Sequence, residues 1–246
     1  VHRIRERMPV GGVRSSDTPI RIHSWRNLLW DSKRIQRIQV ETQMTTILGV
    51  QGDGWAVIGS DTQWSTENGR IGKSSQPKII SSGRYLIGIA GHTRGANIVQ
   101  HSFAPPTVPP KAQGAKLTKF IVSQFVPAYK SVLEGNGIGL PQYDSEVAKT
   151  EIDSLVVVNG VIFQIDSDYG TDMDTNRLYA IGSGCDYGLG ALQAMLDKKR
   201  LTIPVVKRAV LKSLSISAKF DNGTGAPFHL FTQEFARMTK SLLMCV

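Results

Sequence analysis

The chain has 246 residues, of which 41% are hydrophobic, 20% charged and 7% aromatic, ordinary values for a globular protein with one large core or two small ones. No apolar run reaches the roughly 18 residues of a membrane helix, and the charged opening of the chain has no apolar stretch behind it; this argues against a membrane helix and a secretory signal and gives a cytosolic expectation. Two cysteines, Cys185 and Cys245, are too few for a disulfide framework and lack CxxC spacing, so neither redox nor metal chemistry is signalled.

The net charge of +9 is concentrated at the start, where residues 1–44 hold nine basic side chains against four acids. This basic arm contains a weakly helical stretch over 24–39. It lacks a nucleic-acid-binding module, so a solvated leader is favoured over a nucleic-acid contact. Clean strand patterns begin near residue 45. The runs 45–50 and 55–60 flank Asp53-Gly54 and predict a hairpin, and 85–90 predicts a further strand followed by a helix over 94–102. Prolines between 104 and 110 end that helix, because they remove donors and enforce extended backbone. Apolar residues at helical spacing from 116 to 133 predict another helix, kinked at Pro127.

A second hairpin is predicted for 155–158 and 161–165 around Asn159-Gly160. A short strand at 178–181, a helix over 186–196, a helix marked by Val206, Ala209, Val210 and Leu214, and a returning strand at 229–232 complete the chain. The order ββ–αα–ββ–αα predicts an α+β fold, a four-layer αββα sandwich with two stacked sheets and helices outside. The domain organisation is then a leader or arm over 1–44 and one domain over 45–246.

Several blocks occur together: Thr45-Thr46-Ile47-Leu48-Gly49-Val50, Gly59-Ser60-Asp61, Lys78-Ile79, Gly88-Ile89-Ala90-Gly91-His92-Thr93, Ala180-Ile181-Gly182-Ser183-Gly184 and Asp221-Asn222-Gly223-Thr224-Gly225. In this order they resemble the proteasome β subunits and HslV-like peptidases, members of the N-terminal nucleophile hydrolases. The chemistry accounts for the residue types. A threonine hydroxyl is a weak nucleophile until a base takes its proton, and the α-amino group of an N-terminal threonine, with a reference pKa of about 7.7–8.0, can do so near neutral pH. The resemblance implies Thr45 as nucleophile, Lys78 and Asp61 as its activators, and the Gly91 N–H as oxyanion donor. It also implies Ser183, Asp221 and Thr224 at the amine end of the site, with Ile89, Ser65 and Trp64 bordering the substrate. Trp64 is large for such a position. His92 and Cys185 flank the proposed site without a role.

The resemblance further implies threonine peptidase activity on an extended peptide, no metal or organic cofactor, a homo-oligomeric ring and an unfoldase partner; a virion partner belongs to the alternative of a structural subunit of a ring or phage particle. Met44 stands where proteasome precursors carry glycine, and Met44-Thr45-Thr46 has the form of an HslV start, so translation from Met44 is one reading of the upstream residues. Asp61 and Lys78 are one residue further apart than in the family. Two other functions fit the same blocks: a non-catalytic structural subunit that keeps its leader, and an amidase of the superfamily acting on a small molecule.

Overall fold

The computed structural model describes residues 42–43, 45–65, 70–139, 150–235, 237–239 and 243–244. The predicted helix over 24–39, and with it the basic arm apart from Thr42–Gln43, lies outside the described residues. In chain order the strands and helices are β1 (Thr42–Gln43), β2 (Ile47–Gln51), β3 (Trp55–Ser60), β4 (Gln63–Ser65), β5 (Ile71–Lys73), β6 (Ile79–Ser82), β7 (Tyr85–His92), α1 (Thr93–Ser102), α2 (Gly114–Phe120), a π-helical turn (Ile121–Phe125) and α3 (Val126–Gly135). They continue with β8 (Ile152–Val158), β9 (Val161–Ile165), β10 (Thr171–Asp172), β11 (Leu178–Ile181), α4 (Cys185–Leu196), α5 (Ile203–Phe220), β12 (Phe228–Glu234), β13 (Arg237–Thr239) and β14 (Leu243–Met244).

The first sheet runs β1-β7-β8-β9-β10, with β6 also paired to β7; the second runs β11-β2-β3-β12-β13, with β14 paired to β12. Three apolar layers hold them. Ile47, Ala56 and Ile58 of the second sheet meet Leu86, Ala90, Leu155, Val157 and Ile162 of the first. On the outer side of the first sheet Ile87, Ile89, Val156 and Phe163 pack against Ile98, Val99, Phe125 and Leu133. Outside the second, Leu48, Val50 and Val57 pack against Leu192, Val206, Val210 and Leu214. This is the expected αββα arrangement. The run Leu155–Val158 is buried throughout because both faces of β8 are covered. Between the sheets Gly88 leaves room for the facing side chains: a Cβ there would lie 3.0 Å from Ile47 and 3.1 Å from Ile58.

The two hairpins form at the expected turns, and Asn159 and Gly160 both adopt positive φ (53° and 75°), as a two-residue type I′ turn requires. The helix expected over 116–133 extends from Gly114 to Gly135. Its irregularity takes the form of a π turn: the Val126 N–H donates to Ile121 O, five residues back, immediately before Pro127. Widening the preceding turn makes room for the proline ring without ending the helix.

Candidate active site

The site lies where β2, β3 and the start of β6 meet. Thr45 and Thr46 immediately precede β2, Asp61 immediately follows β3, and Lys78 immediately precedes β6. Thr45, Thr46 and Asp61 are completely buried and Lys78 is 7% exposed. The Lys78 ammonium donates to Asp61 Oδ1 at 2.8 Å, to Thr45 Oγ1 at 3.0 Å and to the Gln63 carbonyl oxygen, which engages all three of its protons. The longer Asp61-to-Lys78 spacing therefore does not separate the pair. Lys73, a charged residue earlier in the same connection, is exposed on β5.

Asp61 is held from several directions. The Thr46 N–H donates to Oδ1 at 3.1 Å, while the Gln63 and Gly225 N–H groups donate to Oδ2 at 2.9 and 3.1 Å. Burial raises the Asp61 carboxyl above its ordinary value, opposed by Lys78 and these donors. Burial lowers the Lys78 ammonium, opposed by Asp61 and, more weakly, Asp221. The result is a desolvated ion pair beside a threonine hydroxyl.

On the other side of Thr45, Ser183 donates to Asp221 Oδ2 at 2.8 Å and to the Thr45 carbonyl at a long 3.5 Å. Thr224 also donates to Asp221 Oδ2, and the Gly223 N–H donates to Oδ1 at 3.2 Å. Gly182, with φ +93°, lets the chain pass so close to Thr45 that a Cβ would fall 2.0 Å from its carbonyl oxygen. Thr45, Asp61, Lys78, Ser183, Asp221 and Thr224 thus belong to one hydrogen-bonded constellation.

Gly91 lies on β7 with φ +113°, and a Cβ there would meet Glu151 O at 2.1 Å. The Ile89 N–H donates to Lys78 O. Beyond that point the edge of β7 is taken by β1, in which Gln43 faces Gly91 and Thr42 faces His92 in antiparallel register. Ile89 is 2% exposed and packs in the helix-facing core beneath this edge. Trp64 pairs with Gly72 across β4 and β5, where its ring lies over the glycine with the Arg70 guanidinium 5.8 Å from its centre. Ser65, beside it, is half-buried at the end of β4.

Cys185, at the start of α4, is a free thiol whose pKa is raised by burial and by Asp186, the opposite of an activated thiolate. Among the described residues no group of histidine, cysteine, aspartate or glutamate side chains can hold a metal ion. Two participants were not legible in advance: the Gln63 carbonyl, because any residue offers one, and the Thr46 hydroxyl, because threonine at a strand start has an ordinary structural use.

The chain thus combines a four-layer αββα sandwich with a threonine beside a buried Lys–Asp pair, the arrangement expected from the sequence blocks. No protein-family model matches the chain. It is 28% identical over 195 residues to the ATP-dependent protease subunit HslV of a Nitratiruptor species, an alignment covering 78% of this chain and 98% of that relative. Among solved structures, the Thiobacillus denitrificans BPH in complex with epoxomicin is 23% identical, with a TM-score of 0.61 over 78% of this chain and 99% of the other. HslV from Trypanosoma brucei is 19% identical, with a TM-score of 0.55 over 77% and 99%. In sequence the chain is thus similar to an HslV protease subunit, and in fold to BPH and HslV.

Proposed function

We propose that the chain is a threonine peptidase in which Thr45, once it is the first residue, is both nucleophile and base. The observation that carries this reading is the Lys78 ammonium, which bonds Thr45 Oγ1 at 3.0 Å and Asp61 at 2.8 Å within a buried site. The Thr45 amine takes the hydroxyl proton as Oγ1 attacks the scissile carbonyl carbon. The Lys78 charge favours the forming alkoxide, and the Gly91 N–H receives the developing oxyanion. Collapse breaks the C–N bond, and the leaving amine takes the proton from the Thr45 ammonium. Water, deprotonated by the same amine, then cleaves the acyl ester and restores the threonine. The substrate lies extended along the β7 edge beside Gly91.

That edge gives the residues before Thr45 a role. With them attached, the Thr45 nitrogen is an amide whose lone pair is delocalised, so it is no base near neutral pH. The strand Thr42–Gln43 also occupies the place beside Gly91 where an extended peptide would pair. In this reading the full chain is inactive and becomes a peptidase when Thr45 is exposed. The HslV relative is named as a subunit of an ATP-dependent protease. By analogy this chain assembles with copies of itself, and a separate ATP-using partner delivers protein substrate.

The test compares the full chain with a version beginning Met44-Thr45 from which the methionine has been removed, the N-terminus being verified by mass spectrometry. Hydrolysis of fluorogenic peptides is expected in the trimmed form alone, with suppression by epoxomicin, the compound bound by the Thiobacillus protein. Thr45→Ala in the trimmed form is expected to abolish it. A folded, trimmed protein that cleaves nothing, beside a full chain that assembles stably, favours the structural-subunit reading instead.

A further inference from the structure

We infer that Thr46 is a positioning residue, whose hydroxyl ties the nucleophile's strand to the second carboxylate of the site. This inference rests on the peptidase reading above. Thr46 is completely buried and makes polar contacts in two directions. Its N–H donates to Asp61 Oδ1, the same oxygen that accepts from Lys78, and its carbonyl accepts the Asp61 N–H at 3.3 Å. Its Oγ1 lies 2.5 Å from Thr224 Oγ1, and Thr224 in turn bonds Asp221.

The direction of this chain follows from its end. The Thr224 hydroxyl donates its one proton to Asp221 Oδ2; its oxygen is then the acceptor, and Thr46 donates to it. The one proton of the Thr46 hydroxyl is committed away from Thr45, toward Asp221. Gly184 shows that space is kept for this arrangement: a Cβ there would lie 2.2 Å from Thr46 Oγ1, 2.8 Å from Thr224 Oγ1 and 3.0 Å from Asp221 Oδ2. Thr46 therefore spans the two halves of the site, its backbone fixed to Asp61 and its side chain, through Thr224, to Asp221. The residue it fixes is the direct neighbour of the nucleophile, and the Thr45–Thr46 peptide is itself held at its N–H by Asp61 Oδ1 and, at a longer 3.5 Å, at its carbonyl by Ser183. The hydroxyl acts through placement of Thr45 Oγ1 against Lys78 and touches no reacting atom.

The trimmed protein is compared with its Thr46→Ser, Thr46→Val and Thr46→Ala variants by steady-state kinetics on a fluorogenic peptide. Serine keeps the hydroxyl and valine keeps the shape. The expectation is a kcat within about twofold of the parent for Thr46→Ser, and a fall of about tenfold for Thr46→Val with KM unchanged, the pattern of misplaced reacting groups. If Thr46→Val does not fold, Thr46→Ser against Thr46→Ala isolates the hydroxyl. Thr224→Val is expected to cost a similar factor, and the double variant Thr46→Val/Thr224→Val little more than either alone, since all three break one chain. Equal kcat for hydroxyl-bearing and hydroxyl-lacking variants, or losses that multiply in the double variant, would overturn the inference. Retained turnover in Thr45→Ala would instead overturn the peptidase reading beneath it.

Discussion

Lys78 and Asp61 hold opposite charges in a place where neither is well solvated, and each limits the other's shift. Because burial lowers the Lys78 pKa, the ammonium is lost before its ordinary value of 10.5 is reached, and the alkaline limb of kcat/KM in the trimmed protein is expected below that pH. Asp61→Asn removes the anion that opposes this shift, so the limb moves further toward neutral; a pH–rate profile of the two proteins checks the direction. Lys78→Ala has a different signature. It leaves a fully buried carboxyl without its cation and is expected to cost about 3–5 kcal/mol of stability by denaturant titration near neutral pH. The sign with pH follows from the raised Asp61 pKa: the folded state holds its proton more tightly, so the deficit shrinks as pH falls through the folded value and grows above it. The residues of this pair were legible because ordered motif blocks surround them. Their environment was not, since three of the groups that hold Asp61 and Lys78 are backbone N–H groups and a fourth is a carbonyl.

Among the elements, legibility followed turn chemistry and length. Asn159-Gly160 and Asp53-Gly54 disclosed two hairpins because few residues tolerate the backbone their turns need. The strands β1, β4, β5 and β10 are two or three residues long, too short for alternation to register, and they exist because longer neighbours or each other offer them an edge. The sheets are also joined by polar contacts that no periodicity reveals. Buried Gln233 on β12 accepts the Gly160 N–H at 2.9 Å and donates to Arg84 O at 2.8 Å; Gln51 on β2 accepts the Ile162 N–H at 2.8 Å. These amides fasten the β8–β9 turn of one sheet to strands of the other. Gln233→Leu keeps the bulk but strands a donor and an acceptor, and a loss of about 1–3 kcal/mol is expected in urea or guanidinium unfolding. A change smaller than about 0.5 kcal/mol would show that solvent reaches the freed groups.

At the scale of the whole molecule, the likeness to a protease subunit predicts species well above 26.9 kDa by sedimentation or mass photometry at micromolar concentration. A clean monomer across that range would count against the ring. The pairing of Thr42–Gln43 with the β7 edge has a consequence of another kind. The segment and the edge it covers belong to one chain, so their association is unimolecular, equivalent to a ligand held at an effective concentration of order millimolar. Two residues suffice at that concentration where a free dipeptide would bind negligibly. If the full chain is silent as proposed, that silence is expected not to relax on dilution, and free substrate below millimolar levels to compete poorly with the paired segment. Under the proposed peptidase function, a cut before Thr45 would end the tether and free the amine in the same event, turning a graded competition into a single irreversible commitment.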